Sequence, residues 1–452
     1  MRERVNVIGP DRQAMAGLVR DHRVGVVRQT LRRRPDGLWR VQAIGDSAEL
    51  ARLEGRGFAL EPVEALEVAE AALAASLEAE RPSGRVAGYM DVREVDRRLV
   101  ALSGPPHGAV TELLALPHAT WEGRACHALR IGTGPTGICV LGGVHAREWG
   151  SADIVVAFAE RLLRAHAAGR GVAIGRRRFT AAQLARLVDD ASIYLCPQVN
   201  PDGRHHSFTV DPTWRKNRRP GAAAGVGCVG VDLNRNFDFL WDFEAHFAPD
   251  APVASSTDPC HPDLYVGPAA HSEPEVRNVV WLLDEHPDIE FLVDLHSYGE
   301  LIMYSWGDDE NQSRRRRMAF SNAAYDGRRG LGDDAYGEYL PTADRRSLER
   351  LARTMQAGIA ASRGRSYRVQ QSMNLYPTAG TSDDYAYSRH LVDPARTKVL
   401  SFTVEWGSED NPTPFHPPYG EMVDIIAEVT SGLLAFCGDA VRVSSARRRA
   451  EV

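Results

Sequence analysis

His145 and Glu148 stand three apart just beyond the apolar run "GICVLGGV". A tight turn at a strand end, or one helical turn, could aim this imidazole and this carboxylate at one point. Such a pair suits a divalent metal ion. A zinc ion that catalyses takes two histidines and one carboxylate and keeps a fourth position for water. The third donor would come from another strand end, and His296, in "FLVDLHSY", is the natural candidate. HxxE alone is a weak motif, and a histidine after a strand is commonly an ordinary polar residue. The combination carries the weight.

Four near-continuous apolar runs, "GICVLGGV", "ASIYLCPQV", "IEFLVDL" and "KVLSFTVEW", alternate with helical patterns from residue 89 onward. That order predicts an α/β fold with a mixed, mostly parallel sheet sandwiched by helices. In such sheets the ligand crevice lies beyond the carboxyl ends of the strands. Each of the four runs is followed there by residues capable of chemistry: His145 with Glu148, "NPDG", His296, and Glu405.

Ahead of this core, residues 4 to about 66 read βαββαβ, the order of a small ferredoxin-like α+β domain, with Ser47 as a helix cap. An Ala- and Glu-rich connecting helix follows. We therefore expect a first unit over 1–82, a main unit over 87–440 and a flexible tail over 441–452. A polar stretch at about 307–348 reads as an inserted loop, with "RRRR" at Arg314–Arg317 as a solvated face.

The 452 residues are 43% hydrophobic and 25% charged with a net charge of −6, so a sizeable core is affordable and no strong charge points to nucleic acid as a partner. No apolar run approaches the roughly 18 to 20 residues that span a bilayer, so no membrane insertion is expected. The first residues, "MRERVNVIGP", lack the apolar stretch of a signal peptide; as written the chain reads as cytoplasmic. The six cysteines form no CxxC pair, which argues against a cysteine-built zinc site.

"GGVHAREW", "NPDG", "WRKNR", "GVDLNRNFD", "LHSY", "LYPTAGTSDDYAY" and "FTVEWG" occur in the order seen in zinc carboxypeptidases of the pancreatic A/B type. The resemblance covers roughly 87–437, and the preceding unit resembles their prosegment. It implies one zinc ion per chain, held by His145, Glu148 and His296, with Asp232 orienting His145. Glu405 would be the general base, taking a proton from a water on the metal and passing it to the leaving amine. Arg215 would stabilise the developing oxyanion; by charge alone Lys216, Arg218 and Arg219 are equal candidates, and only the motif singles out Arg215. Asn234, Arg235 and Tyr376 would receive the substrate's terminal carboxylate. Arg147 and Tyr298 would contact residues further back, although Tyr298 as a core aromatic needs no function. Peptide or protein C-termini are thus the implied partners; nothing bears on the oligomeric state.

Seven residues after Tyr376 stands Asp383, the position at the base of the side-chain pocket in this family. A carboxylate there resembles the B type, which removes C-terminal Lys or Arg, and Gly307 would leave that pocket deep. The alternative is a polar turn of Asp383 and Asp384 whose charge is offset internally. Cys228 and Cys260 fall where many secreted relatives carry a disulfide, which implies an oxidising compartment and conflicts with the cytoplasmic reading: either the true start lies upstream, or the protein stays inside with free thiols. Asp294 departs from the pattern, standing where many relatives carry a small residue. Arg81 and Arg85 flank the boundary as trypsin-like cleavage points, with an inhibitory first unit as the implied purpose. Two other functions remain open: a zinc amidase on cell-wall peptides, and a binding protein on a dead scaffold, though every motif residue is present.

Overall fold

The computed structural model describes residues 3–19, 24–63, 85–221, 228–332, 335–411 and 413–451. The connecting helix expected after residue 63, and Arg81 with it, lie outside the described residues. In the first unit, β1 (Glu3–Gly9), α1 (Arg12–Val19), β2 (Gly25–Arg33), β3 (Trp39–Gly45), α2 (Ser47–Gly55) and β4 (Ala59–Pro62) follow the expected βαββαβ order. The strands form an antiparallel sheet in the order β2-β3-β1-β4, as a ferredoxin-like unit requires. Val7, Met15, Leu18, Val41, Leu50 and Leu53 give it a core of its own. The cap of α2 is Asp46 rather than Ser47: its carboxylate accepts from Glu49 N at 2.8 Å while Glu49 Oε2 accepts from Asp46 N at 2.8 Å, a reciprocal box that one residue's shift would break.

The main sheet has eight strands: β5 (Thr111–Ala115), β6 (His127–Ile131), β7 (Thr136–Gly142), β8 (Ala191–Cys196), β9 (Ile289–Ser297), β10 (Leu301–Tyr304), β11 (Arg368–Gln371) and β12 (Leu400–Trp406). Their order is β11-β10-β12-β9-β7-β8-β6-β5. The central strands β12, β9, β7 and β8 are parallel, and antiparallel pairings flank them. Buried Val, Ile, Leu and Phe fill these central strands because helices cover both faces. Helices α3 (Val92–Ser103), α4 (Gly150–Ala167), α5 (Ala181–Asp190), α6 (Pro201–Thr209), α7 (Pro274–Glu285), α8 (Thr342–Arg363), α9 (Ser382–Val392) and α10 (Tyr419–Glu451) supply that cover. Register sets the edge where chemistry can gather: Leu295 lies beside Gly142 and His296 beside Glu405, so β7, β9 and β12 end level.

Two expectations are corrected. Residues 441–451 are not a flexible tail but the last turns of α10. Val443 and Ser444 are buried there, and Arg448 donates to Pro135 O at 3.1 Å and Glu290 Oε1 at 3.0 Å. The charged run that read as frayed is a clamp, and cations at a helix C-terminus also suit its dipole. The stretch at 307–348 is not a loose loop either. Short strands Asn311–Gln312 and Glu338–Tyr339 pair within it, and Arg329 is fully buried, donating to Asp326 Oδ1 at 2.8 Å and to Phe320 O at 3.2 Å. Arg314–Arg317 are exposed as expected.

This segment also buries an acid whose nearest cation, Arg329 Nε, stands 3.8 Å from Asp308 Oδ2. Neither oxygen of Asp308 has a hydrogen-bond partner among the described residues. Burial and the neighbouring carboxylates of Glu338, Asp384 and Asp309 hold its pKa well above the usual range. A raised acid favours the fold while protonated; the stability it contributes is lost as pH climbs from about 4 through the raised value. Asp308→Asn should therefore raise Tm by a few degrees at pH 8 and change it little at pH 4.5. Thermal unfolding at the two pH values checks this; an equal shift at both would show that ionisation of Asp308 is not the cause.

Candidate active site

At the end of β7 the chain must leave the sheet at once. Gly143 does this at φ 65°, and a Cβ there would lie 3.3 Å from Pro197 O, so a side chain would meet both strain and crowding. The loop that follows carries His145, Arg147 and Glu148 and is fixed at its far end. There Ser151, in the first turn of α4, donates to Leu295 O at 2.8 Å and accepts from Trp406 Nε1 at 2.9 Å, tying the loop to β9 and β12.

These constraints bring His145, Glu148 and His296 together, all buried, with ligand atoms within 4.8 Å of one another. His145 Nδ1 lies 2.8 Å from Glu148 Oε1, and His296 Nδ1 lies 2.9 Å from His145 Nδ1 and 3.1 Å from Glu148 Oε2. Two imidazoles and a carboxylate at one buried point are a donor set that fits zinc. Behind His145, Nε2 stands 3.3 Å from Asp232 Oδ1. Burial alone would lift the Asp232 pKa, but Arg215 and His145 outweigh it and hold it below the usual carboxylate range. Burial likewise opposes ionised Glu148, and the two histidines more than offset it. His296 is held well above the ordinary histidine value against its burial by Asp294 and Glu148.

Glu405 lies beside His296 in register, is buried, and its Oε2 has no hydrogen-bond partner among the described residues. Burial and the Glu148 carboxylate push its pKa up to about 8. Arg215 grips Asp232 Oδ2 through Nε at 3.0 Å and Nη2 at 2.9 Å. Asn234 and Arg235 follow from a short turn capped by Asp232. Asn234 Oδ1 accepts from Ser382 N at 2.8 Å, and Arg235 donates to the carbonyls of Ala254 and Asn234. Gly380 makes this packing feasible: it has φ 67°, and a Cβ would stand 2.3 Å from Arg235 O.

One cavity gathers His145, Arg147, Glu148, Arg215, Asn234 and Arg235 with His296, Tyr376, Asp383 and Glu405. Asp383 sits inside it, accepting from Thr403 Oγ1 at 3.0 Å and Ser372 Oγ at 3.3 Å. Gly307 is placed behind that wall: a Cβ would come within 2.4 Å of Thr378 Oγ1 and 2.9 Å of Asp384 Oδ2. Arg147 reaches Asp263 Oδ1 at 3.3 Å and lies over the Phe415 ring at 4.3 Å. Tyr298 does not line the cavity. It is fully buried, packs with Phe415 of the main unit and with Val27 and Ile44 of the first, and donates to Gln42 Oε1 of the first unit at 2.9 Å.

Sequence reading missed the contribution of β2 to this site. Val26, Val27 and Arg28 line the cavity. Arg28 donates to Pro252 O at 2.9 Å and lies over the Tyr376 ring at 5.2 Å; burial pushes its pKa down to about 9, with Arg235 and Arg215 adding to the fall. No local motif marks such a contact, since its partners are more than two hundred residues away. Cys228 and Cys260 are joined by a disulfide. No helix among the described residues is long and apolar enough to cross a membrane.

A sequence model described as zinc carboxypeptidase matches residues 108–431. Over 325 residues, 71% of this chain and 88% of the relative, the chain is 30% identical to a carboxypeptidase B of Astacus astacus. A human carboxypeptidase B is 28% identical over 277 residues, 60% of this chain and 54% of that one, so the match spans about half of that relative. Among solved structures, carboxypeptidase A from Helicoverpa armigera aligns with a TM-score of 0.70 at 22% identity, covering 100% of this chain and 98% of that one. Thrombin activatable fibrinolysis inhibitor aligns at 0.69 and 19%, covering 98% and 99%. At these identities the two structures speak for the fold, first unit included. The sequence match carries the rest: it extends across β5 to β12 and through every donor at the level strand ends, and so the chain belongs to the zinc carboxypeptidases, metal-dependent hydrolases of peptide C-termini.

Proposed function

We propose that the protein removes Arg or Lys from peptide C-termini, and that the first unit holds it inactive until it is cut away. The observation that carries the specificity is Asp383, a buried carboxylate in the cavity whose hydrogen-bond partners among the described residues are the hydroxyls of Ser372 and Thr403. A charge so placed favours a cationic side chain as its counter-ion.

When bound at His145, Glu148 and His296, zinc supplies Lewis acidity that polarises the scissile carbonyl and activates water. The remaining work falls to the chain. Glu405 takes the proton of the attacking water and delivers it to the leaving amine. Arg215, fixed by Asp232, meets the charge that grows on the carbonyl oxygen. Arg235 and Asn234 bind the terminal carboxylate, with Tyr376 closing over it. Arg147, also in the cavity lining, would meet residues further back on the peptide, and Gly307, lacking a Cβ, lets Thr378 and Asp384 pack closely behind the Asp383 wall.

With β2 docked, the cavity is about 70 Å³, well under the roughly 300 Å³ at which ligand pockets begin. Arg28 stands over Tyr376 and near Arg235, where a substrate terminus would bind. The disulfide and this zymogen-like arrangement support action in an oxidising compartment outside the cytoplasm.

The test is release of Arg and of Phe from matched blocked dipeptides, with a zinc chelator control, by the intact chain and after mild trypsin. Chelator-sensitive release of Arg ahead of Phe, rising on trimming, is the expected result; faster Phe release would overturn the pocket reading. Arg28→Ala in the intact chain should raise Arg release by about tenfold or more, since a hydrogen bond to a charged group contributes about 1.5–3 kcal/mol. Unchanged basal release would remove Arg28 from the inhibitory contact.

A further inference from the structure

We propose that Asp294 is a positioning residue for the metal site, fixing His296 as Asp232 fixes His145, so that the two histidines present the same nitrogen to the ion. The inference rests on reading His145, Glu148 and His296 as the ligands.

The two rings are arranged alike. Their Nδ1 atoms face one another at 2.9 Å, and each Nε2 points away to a buried carboxylate: Asp232 Oδ1 at 3.3 Å from His145, and Asp294 Oδ2 at 3.0 Å from His296. Asp294 precedes His296 by two residues on β9, which puts both side chains on one face of the strand. It is fully buried, between Leu141 of β7 and Thr403 of β12. An acid in the middle of such a sheet is costly unless hydrogen-bonded. Two groups meet Oδ2: Ser382 Oγ, which donates at 2.6 Å, and His296 Nε2, in ion-pair contact at 3.0 Å; Asn234 Nδ2 is also 3.5 Å from that ring nitrogen. Oδ1 has no partner among the described residues, so packing alone does not account for the residue. Nor is Asp294 needed to hold the start of α9, because Ser382 N is already anchored on Asn234 Oδ1 at 2.8 Å.

A carboxylate on Nε2 keeps the proton there, leaves Nδ1 as the free lone pair, locks the ring and strengthens it as a donor; loss of such a partner typically weakens metal binding 10–100-fold. Two histidines so supported would retain zinc more firmly than one.

The experiment titrates full-length, zinc-loaded protein with a chelator of known affinity, for wild type, Asp294→Ser and Asp294→Asn, and measures Tm after the metal is stripped. Asp294→Ser should hold zinc about 10–100-fold less tightly, with the metal-free Tm close to wild type. Asp294→Asn, which keeps an acceptor of the same shape, should recover part of that loss. Wild-type affinity in Asp294→Ser would overturn the proposal, as would a metal-free Tm that falls in step with affinity and no recovery in Asp294→Asn, the pattern of a packing residue. His296→Ala separates the two claims. It should lose zinc far more completely, and if it instead retained wild-type affinity, the ligand assignment itself would fail.

Discussion

Glu405→Gln is expected to lower kcat on a peptide ending in Arg by about 10²–10⁴-fold, the range general acid–base catalysis supplies, with KM within a few-fold and zinc retained. The substitution keeps the shape of the side chain and removes only its capacity to carry a proton. Three observations make Glu405 the group to lose. It lies beside His296 in register, its Oε2 has no hydrogen-bond partner among the described residues, and burial beside Glu148 raises its proton affinity. Single-turnover rates with a zinc assay on the same sample decide the matter: a variant that keeps its zinc and loses less than tenfold would show that the proton moves by another route.

The second large effect concerns choice of substrate. Asp383→Ile should lower the ratio of kcat/KM for Arg over Phe ends by about 10²–10³, because removing one partner of a buried ion pair costs about 3–5 kcal/mol and each 1.4 kcal/mol is tenfold. Two acids lie side by side here, and their roles differ. Burial and the neighbouring Asp383 push Asp384 well up, toward its protonated form, and its Oδ2 accepts from Gly307 N at 2.9 Å. Asp383 faces the cavity between Thr403 and Ser372, and no cation among the described residues pairs with it. On our reading Asp383 is therefore the carboxylate that a cationic substrate side chain would meet. Paired kinetics on the two dipeptides read this directly; a ratio left at its wild-type value would mean that preference for basic ends, if present, is set elsewhere.

Much of the site was legible because strand ends are legible. An apolar run that stops at His145, His296 or Glu405 marks both the element and the edge at which it delivers a side chain. What the sequence withheld was of another kind. Asp294 looked like a local oddity, since only the fold brings Ser382 and the far side of the His296 ring to it. The clamp formed by Arg448 depends on Glu290, more than 150 residues away, so a charged terminus read as solvent-exposed. Asp46 took the cap from Ser47 through a pairing with Glu49 that either residue's type would have permitted. The burial of Arg329 among acids in 307–348 is likewise a product of distant closure, hidden in a stretch whose composition is polar.

The first unit has a hydrophobic core separate from that of the sheet; it reaches the cavity through Val26, Val27 and Arg28, and it meets the main unit again where Gln42 and Ile44 pack on Tyr298. While covalently joined, it faces the site at an effective concentration on the millimolar scale, and modest intrinsic affinity is enough to keep the cavity filled. Cutting within the linking residues 64–84 changes none of those contacts, yet it turns the same encounter into a bimolecular one. Occupancy then depends on how much protein is present, so under the inhibition we propose, dilution after the cut would set how quickly an active form emerges.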